Sequence, residues 1–152
     1  MSIKSFKKQG GFTLLELLIV IVIIGILALL IIPNITSAPK KARDTKRKTD
    51  ITTIRKGLEE YFVNNNVYPA SSGVVGTSGV LAELQAGSAP IMKTLPTDPK
   101  GSPWQQYTYV PANTNSTYTL DACLENDQDN GANVIAPVSP CITKTFEVIN
   151  GN

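Results

Sequence analysis

The chain of 152 residues has no histidine, two cysteines and one tryptophan. Without histidine there can be no nucleophile–imidazole pair, and the commonest general base and metal ligand is missing. No glycine-rich phosphate loop and no metal-ligand spacing takes its place. The expectation is therefore a chain that is not an enzyme and needs no cofactor. The two cysteines, Cys123 and Cys141, stand 18 positions apart. They are compatible with one disulfide in an exported domain, which is the expectation; two free thiols are the less favoured alternative.

Charge is almost absent from one stretch. The 21 residues from Phe12 to Ile32 hold only two polar side chains, Thr13 and Glu16. As a helix this run would be about 31 Å long, close to the thickness of a bilayer's hydrocarbon core. A core helix of a small domain is rarely apolar on every side for that length. The run predicts a membrane-spanning helix. Glu16 does not suit a plain anchor, because an ionised carboxylate in lipid costs several kcal/mol. Either it snorkels to the headgroups, or it meets a positive charge within an assembly of helices. The α-amino group created by a cut before Phe12 would supply such a charge.

A Lys-bearing leader, then Gly11-Phe12-Thr13-Leu14-Leu15-Glu16, then an apolar run resembles the N-terminus of type IV pilins and of the pseudopilins of type II secretion. The resemblance is strong from about Lys7 to Pro69 and weak beyond. It implies cleavage after Gly11 by a membrane-embedded prepilin peptidase, which also N-methylates Phe12. It makes Glu16 the assembly glutamate. It further implies a homo-oligomeric filament built on an inner-membrane assembly platform, from subunits held in membrane lipid before assembly. The chain would cross the cytoplasmic membrane once with its N-terminus on the cytoplasmic side, and the product would be an extracellular pilus or a periplasmic pseudopilus.

Residues 1–56 carry 11 Lys/Arg against 3 Asp/Glu, while residues 57–152 carry 3 against 9. Removing a leader with Lys4, Lys7 and Lys8 turns the side-chain charge of +2 into −1. Gly25 and Pro33 interrupt the helical run, and Pro39 adds a further kink. All three read as soft points of the helix. Lys40–Lys48, KKARDTKRK, has six basic residues and one acid. It reads as a solvated face or membrane-surface collar, as a phosphate-binding patch for DNA (the less favoured reading), or as a topology signal.

Beyond it, Ala42, Thr45, Thr49, Ile54, Leu58, Tyr61 and Phe62, with Ile51, make an apolar stripe opposite Arg55, Lys56, Glu59 and Glu60. Asn64-Asn65-Asn66 before Tyr68-Pro69 is a stop signal. Residues 70–79 read as loop and 80–86 as a short helix. Leu95-Pro96-Thr97-Asp98-Pro99-Lys100-Gly101 is turn chemistry, and is also similar to a stretch of the major pseudopilins. Trp104 is expected to pack. Strand patterns cover 106–110, 117–123 and 143–149, with Tyr118, Leu120 and Ala122 alternating. The acidic loop 125–133 offers Asp127, Asp129 and Asn130 as calcium oxygens, without the full twelve-residue pattern.

The expected fold is α+β, a long kinked N-terminal helix packed on a small antiparallel sheet of three or four strands. Its expected parts are a leader (1–11), a transmembrane and filament-core helix (12–33), an amphipathic half (34–69) and a globular head (70–152). The first expectation for function is a structural subunit, the major pilin of a type IV pilus. The alternative is the major pseudopilin of a type II secretion system. A third reading, of another class, is a monomeric single-pass anchor whose head binds a ligand.

Overall fold

The computed structural model describes residues 11–76, 79–101 and 107–150, with the backbone alone for 30–36. Residues 1–10 of the expected leader, and the packing of Trp104, lie outside the described residues. The chain divides into two compact units, Met1–Ser37 and Ala38–Asn152.

Helix α1, Leu14–Asn65, has 52 residues and starts two positions later than the apolar run. Gly25, Pro33 and Pro39 all lie inside it, and none of them ends it. It stops where Asn66 adopts φ 58°, the left-handed conformation that asparagine tolerates at a helix end. The Asn65 side chain donates to the Tyr61 carbonyl at 2.9 Å, covering one otherwise open acceptor.

In the unit Ala38–Asn152, five antiparallel strands follow α1: β1 (Gly73–Val74), β2 (Thr108–Ala112), β3 (Thr117–Leu124), β4 (Val134–Ile135) and β5 (Lys144–Asn150). Their order is β1-β2-β3-β5-β4. The expected count of three or four is corrected to five by β1 and β4. Each of these is two residues long, too short to show a period. The expected helix at 80–86 is a single 3-10 turn, Ala82–Gln85.

β3 is central, and its alternation sets the layers. Tyr118, Leu120, Ala122 and Leu124 are buried with Ile51, Ile54 and Leu58 of α1 in one core, with Tyr107 and Tyr109 from β2 and its approach and Phe146 and Val148 from β5. Thr117, Thr119, Asp121 and Cys123 take the opposite face of the strand. Pro111 is paired to Tyr118 of β3, while β1 reaches only Thr108 and Tyr109 on the other side. It therefore sits where no ladder donor is needed. Gly57 lets the helix pass close to Met92: a Cβ there would lie 2.7 Å from the Met92 sulfur.

The first turns of the expected stripe are wrong. Ala42, Thr45 and Thr49 are exposed, and the two threonine hydroxyls donate to the helix's own carbonyls of Lys41 and Thr45 at 2.9 Å. The buried positions there are Asp44, Arg47 and Asp50, which continue into Ile51, Ile54 and Leu58.

Candidate functional site

The N-terminal segment is built by a reciprocal cap. Thr13 donates its backbone N–H and its hydroxyl to Glu16 Oε2 at 2.9 and 2.8 Å. Glu16 N–H donates back to Thr13 Oγ1 at 3.2 Å. This is a capping box, a side chain at each end satisfying the other's backbone donor. Gly11 and Phe12 precede the helix, and Phe12 is 89 % exposed. The large apolar side chains described from Leu14 to Leu29 are all exposed. Gly25 among them has no neighbour within 4 Å of an added Cβ. Among the described residues no helix is long and apolar enough to cross a membrane. The apolar side chains described make about 24 Å of helix, against a hydrocarbon core of roughly 30 Å.

The second constellation lies in the unit Ala38–Asn152. The Arg47 side chain is fully buried. Its Nε and Nη2 donate to Asp98 at 2.6 and 3.0 Å, and its Nη1 to Asp44 at 2.7 Å and to Glu125 at 2.8 Å. Arg43 grips Glu125 with two bonds of 2.7 Å, and Lys100 reaches it at 3.6 Å. Asp44 also accepts the backbone N–H groups of Glu125 and Asn126 at 2.8–3.1 Å. Three cations thus face three carboxylates, and they join α1 to the 95–101 turn and to the end of β3. Burial alone would lower the Arg47 pKa, but the hydrogen bonds to Asp98, Glu125 and Asp44 raise it. The Arg43 fork, with Arg47 behind it, holds Glu125 down at about 2.

Two further carboxylates of α1 serve the tyrosines. Asp50 accepts from Tyr107 at 2.7 Å and pairs with Lys46. Glu59, expected on the polar face, is half-buried and accepts from Tyr68 and Tyr118 at 3.1 Å each and from Asn150 at 2.9 Å. Burial, then the Glu59 carboxylate, pushes the Tyr68 hydroxyl up to about 12.

The calcium candidates do not form a site. Asp127 is exposed, while Asp129 Oδ2 is held by Lys48 at 2.6 Å and its Oδ1 by the Gly131 N–H at 3.0 Å. Asn130 accepts from Lys144 at 3.4 Å. Among the described residues no three His, Cys, Asp or Glu gather where a metal could sit. Cys123 and Cys141 are bonded, with S–S 2.02 Å.

The structure therefore reassigns the basic cluster. Arg47 is an interior hub, Arg43 and Lys48 hold the loop after β3, and Lys40 and Lys41 remain exposed. Sequence reading missed the hub. Its one local signal is the spacing Asp44–Arg47–Ile51–Ile54–Leu58, which keeps a single helical face.

Residues 6–32 match the prokaryotic N-terminal methylation motif, and residues 34–139 match type II secretion system protein G. The chain is 33% identical over 133 residues to the type II secretion system core protein G of Pseudomonas aeruginosa, covering 83% of this chain and 90% of that one. It is 33% identical over 141 residues to the protein of the same name from Vibrio cholerae, covering 86% and 93%. The Aeromonas hydrophila protein of that name is 38% identical over 106 residues, 65% of this chain and 73% of that one. No solved structure matches. These relatives carry the name of the alternative reading, the secretion subunit, and not that of the pilin expected first.

Proposed function

The chain belongs to the type II secretion system protein G family, and from that premise we propose that it is a major pseudopilin. In this reading it is a non-catalytic subunit, cut after Gly11, methylated on Phe12 and stacked through its apolar helices into a short periplasmic filament. The observation that carries it is the methylation motif at 6–32 joined directly to the protein G domain at 34–139. The subunit waits in the cytoplasmic membrane, its span running over 12–32. A prepilin peptidase and an inner-membrane assembly platform are its partners.

Glu16 has the assembly role in this reading. It lies in the first turn of α1, and Phe12 stands exposed ahead of that turn. A neighbour's methylated Phe12 amine, still cationic, would pair with the carboxylate and set the axial register. An unpaired charge in a dry helix bundle is costly, so losing either partner matters.

The deciding experiment is intact mass with N-terminal sequencing of the protein from its native envelope. The expected chain starts at Phe12 and is heavier by about 14 Da, one methyl group. A chain starting at Met1 or Ser2 would overturn the reading. Short envelope-confined filaments are expected, and long extracellular fibres would restore the pilin. Glu16→Val is expected to keep membrane insertion and lose filament formation, read by fractionation and electron microscopy.

A further inference from the structure

The outer face of the sheet carries a carboxylate with one buried oxygen that no partner among the described residues satisfies. Asp121 lies on β3 between Thr108 of β2 and Glu147 of β5. Its Oδ1 is buried and has no hydrogen-bond partner among the described residues. A cavity of about 20 Å³ adjoins it, closed by Ser139, Pro140 and Cys141. That is room for about one water. The closing segment is held at two points: the Cys123–Cys141 disulfide, and a 2.9 Å bond from Val138 N–H to Thr145 Oγ1. Its residues from Ala136 to Pro140 are exposed.

We propose that residues 136–141 form a proton-dependent strap, closed over the outer sheet face when Asp121 is protonated and loosened when Asp121 is ionised. The groups that face Asp121 set the sign. From β2 there is Thr108, from β5 Thr145 and the acidic Glu147, and from the strap the uncharged Val138–Cys141. Among the described residues no Lys or Arg lines the cavity. A buried carboxylate beside a second acid, with no cation to offset it, disfavours its charged form. Burial first, then Glu147, pushes Asp121 up to about 6. On ionisation the group needs water. The walls from β2, β3 and β5 are locked in a ladder, whereas the strap has the 2.9 Å bond and the disulfide. The strap is the wall that yields.

The test is the rate at which a phosphine reductant opens the disulfide in the full chain in detergent micelles. It is read as the ratio of wild type to Asp121→Asn, so that the reagent's own pH dependence cancels. If opening returns Asp121 to the ordinary carboxylate range, the ratio rises roughly tenfold from about pH 5 to about pH 7.5. Glu147→Gln removes a like charge and eases the ionisation of Asp121, so the midpoint of that rise is expected to move to lower pH. Thr145→Val should speed reduction equally at every pH. A ratio that does not change with pH overturns the strap. If Asp121→Asn does not fold, amide exchange of Val138 and Cys141 in the wild type replaces it, taken relative to the β3–β5 ladder. A relative rise with a midpoint near pH 6 supports the proposal, and exchange that parallels the ladder overturns it.

Discussion

Asp121 lies within β3 and Glu125 four residues on, just beyond the strand's end, and the fold treats them in opposite ways. Glu125 is forked by Arg43, touched by Arg47 and held at about 2. Asp121 has an acid and hydroxyls for neighbours and rises to about 6. The residue types are nearly the same, and both lie within the head, so it is the partners that decide. The inner hub sets three cations against three carboxylates, and among the described residues the cavity beside Asp121 is lined by no cation.

The largest expected effect comes from breaking the inner side. Arg47→Met leaves Asp44, Asp98 and Glu125 buried around an apolar stem, and should cost about 3–5 kcal/mol of unfolding free energy by chemical denaturation. A loss under about 1 kcal/mol would mean that the hub is relaxed by water and not a structural centre. Next is pH, which sets the two sides against each other. Glu125's folded pKa is depressed, so its contribution is present above the ordinary 4.5 and is lost as pH falls towards about 2. Asp121's is raised from 3.8 to about 6, so the folded state holds the extra proton and stability grows as pH falls through that window. Thermal melts across pH should therefore peak between about 4 and about 5. Asp121→Asn should flatten only the limb above the peak. The smallest effect is at the loop. Lys48→Met frees Asp129 and should cost under about 1 kcal/mol, since that pair is partly exposed. Added calcium should leave the wild-type melting temperature unmoved, because the Lys48 ammonium already occupies the Asp129 carboxylate.

The legible parts of the fold were those with a local period. β3 announced itself through Tyr118, Leu120 and Ala122, all buried. The lower half of α1 did so through Ile51, Ile54 and Leu58. The upper half misled because two sets of residues share helical spacing there. Ala42, Thr45 and Thr49 were preferred for being less polar, yet the buried set is Asp44, Arg47 and Asp50. Charges can be interior only when partners arrive from elsewhere, and Asp98 and Glu125 lie 51 and 78 residues further on. No local pattern carries that. The Pro-rich stretch 95–101 carries only turn chemistry in its sequence, yet its Asp98 is one arm of the hub. The Thr13–Glu16 box, by contrast, has a local signature in the sequence, Thr-x-x-Glu. The N-terminal processing motif was legible in full, as words are, without any geometry.

The reach of Arg47 also imposes an order of events. Its partners 51 and 78 residues further on leave the ribosome after it does. Until Glu125 arrives, Arg47 has only Asp44 and Asp98 of its three carboxylates, and the seat for its stretch of α1 is incomplete. Contacts between such distant residues must close large loops before they reward the chain. The head is therefore completed from its last third, and a subunit stalled before Glu125 carries a finished apolar helix and an unfinished body.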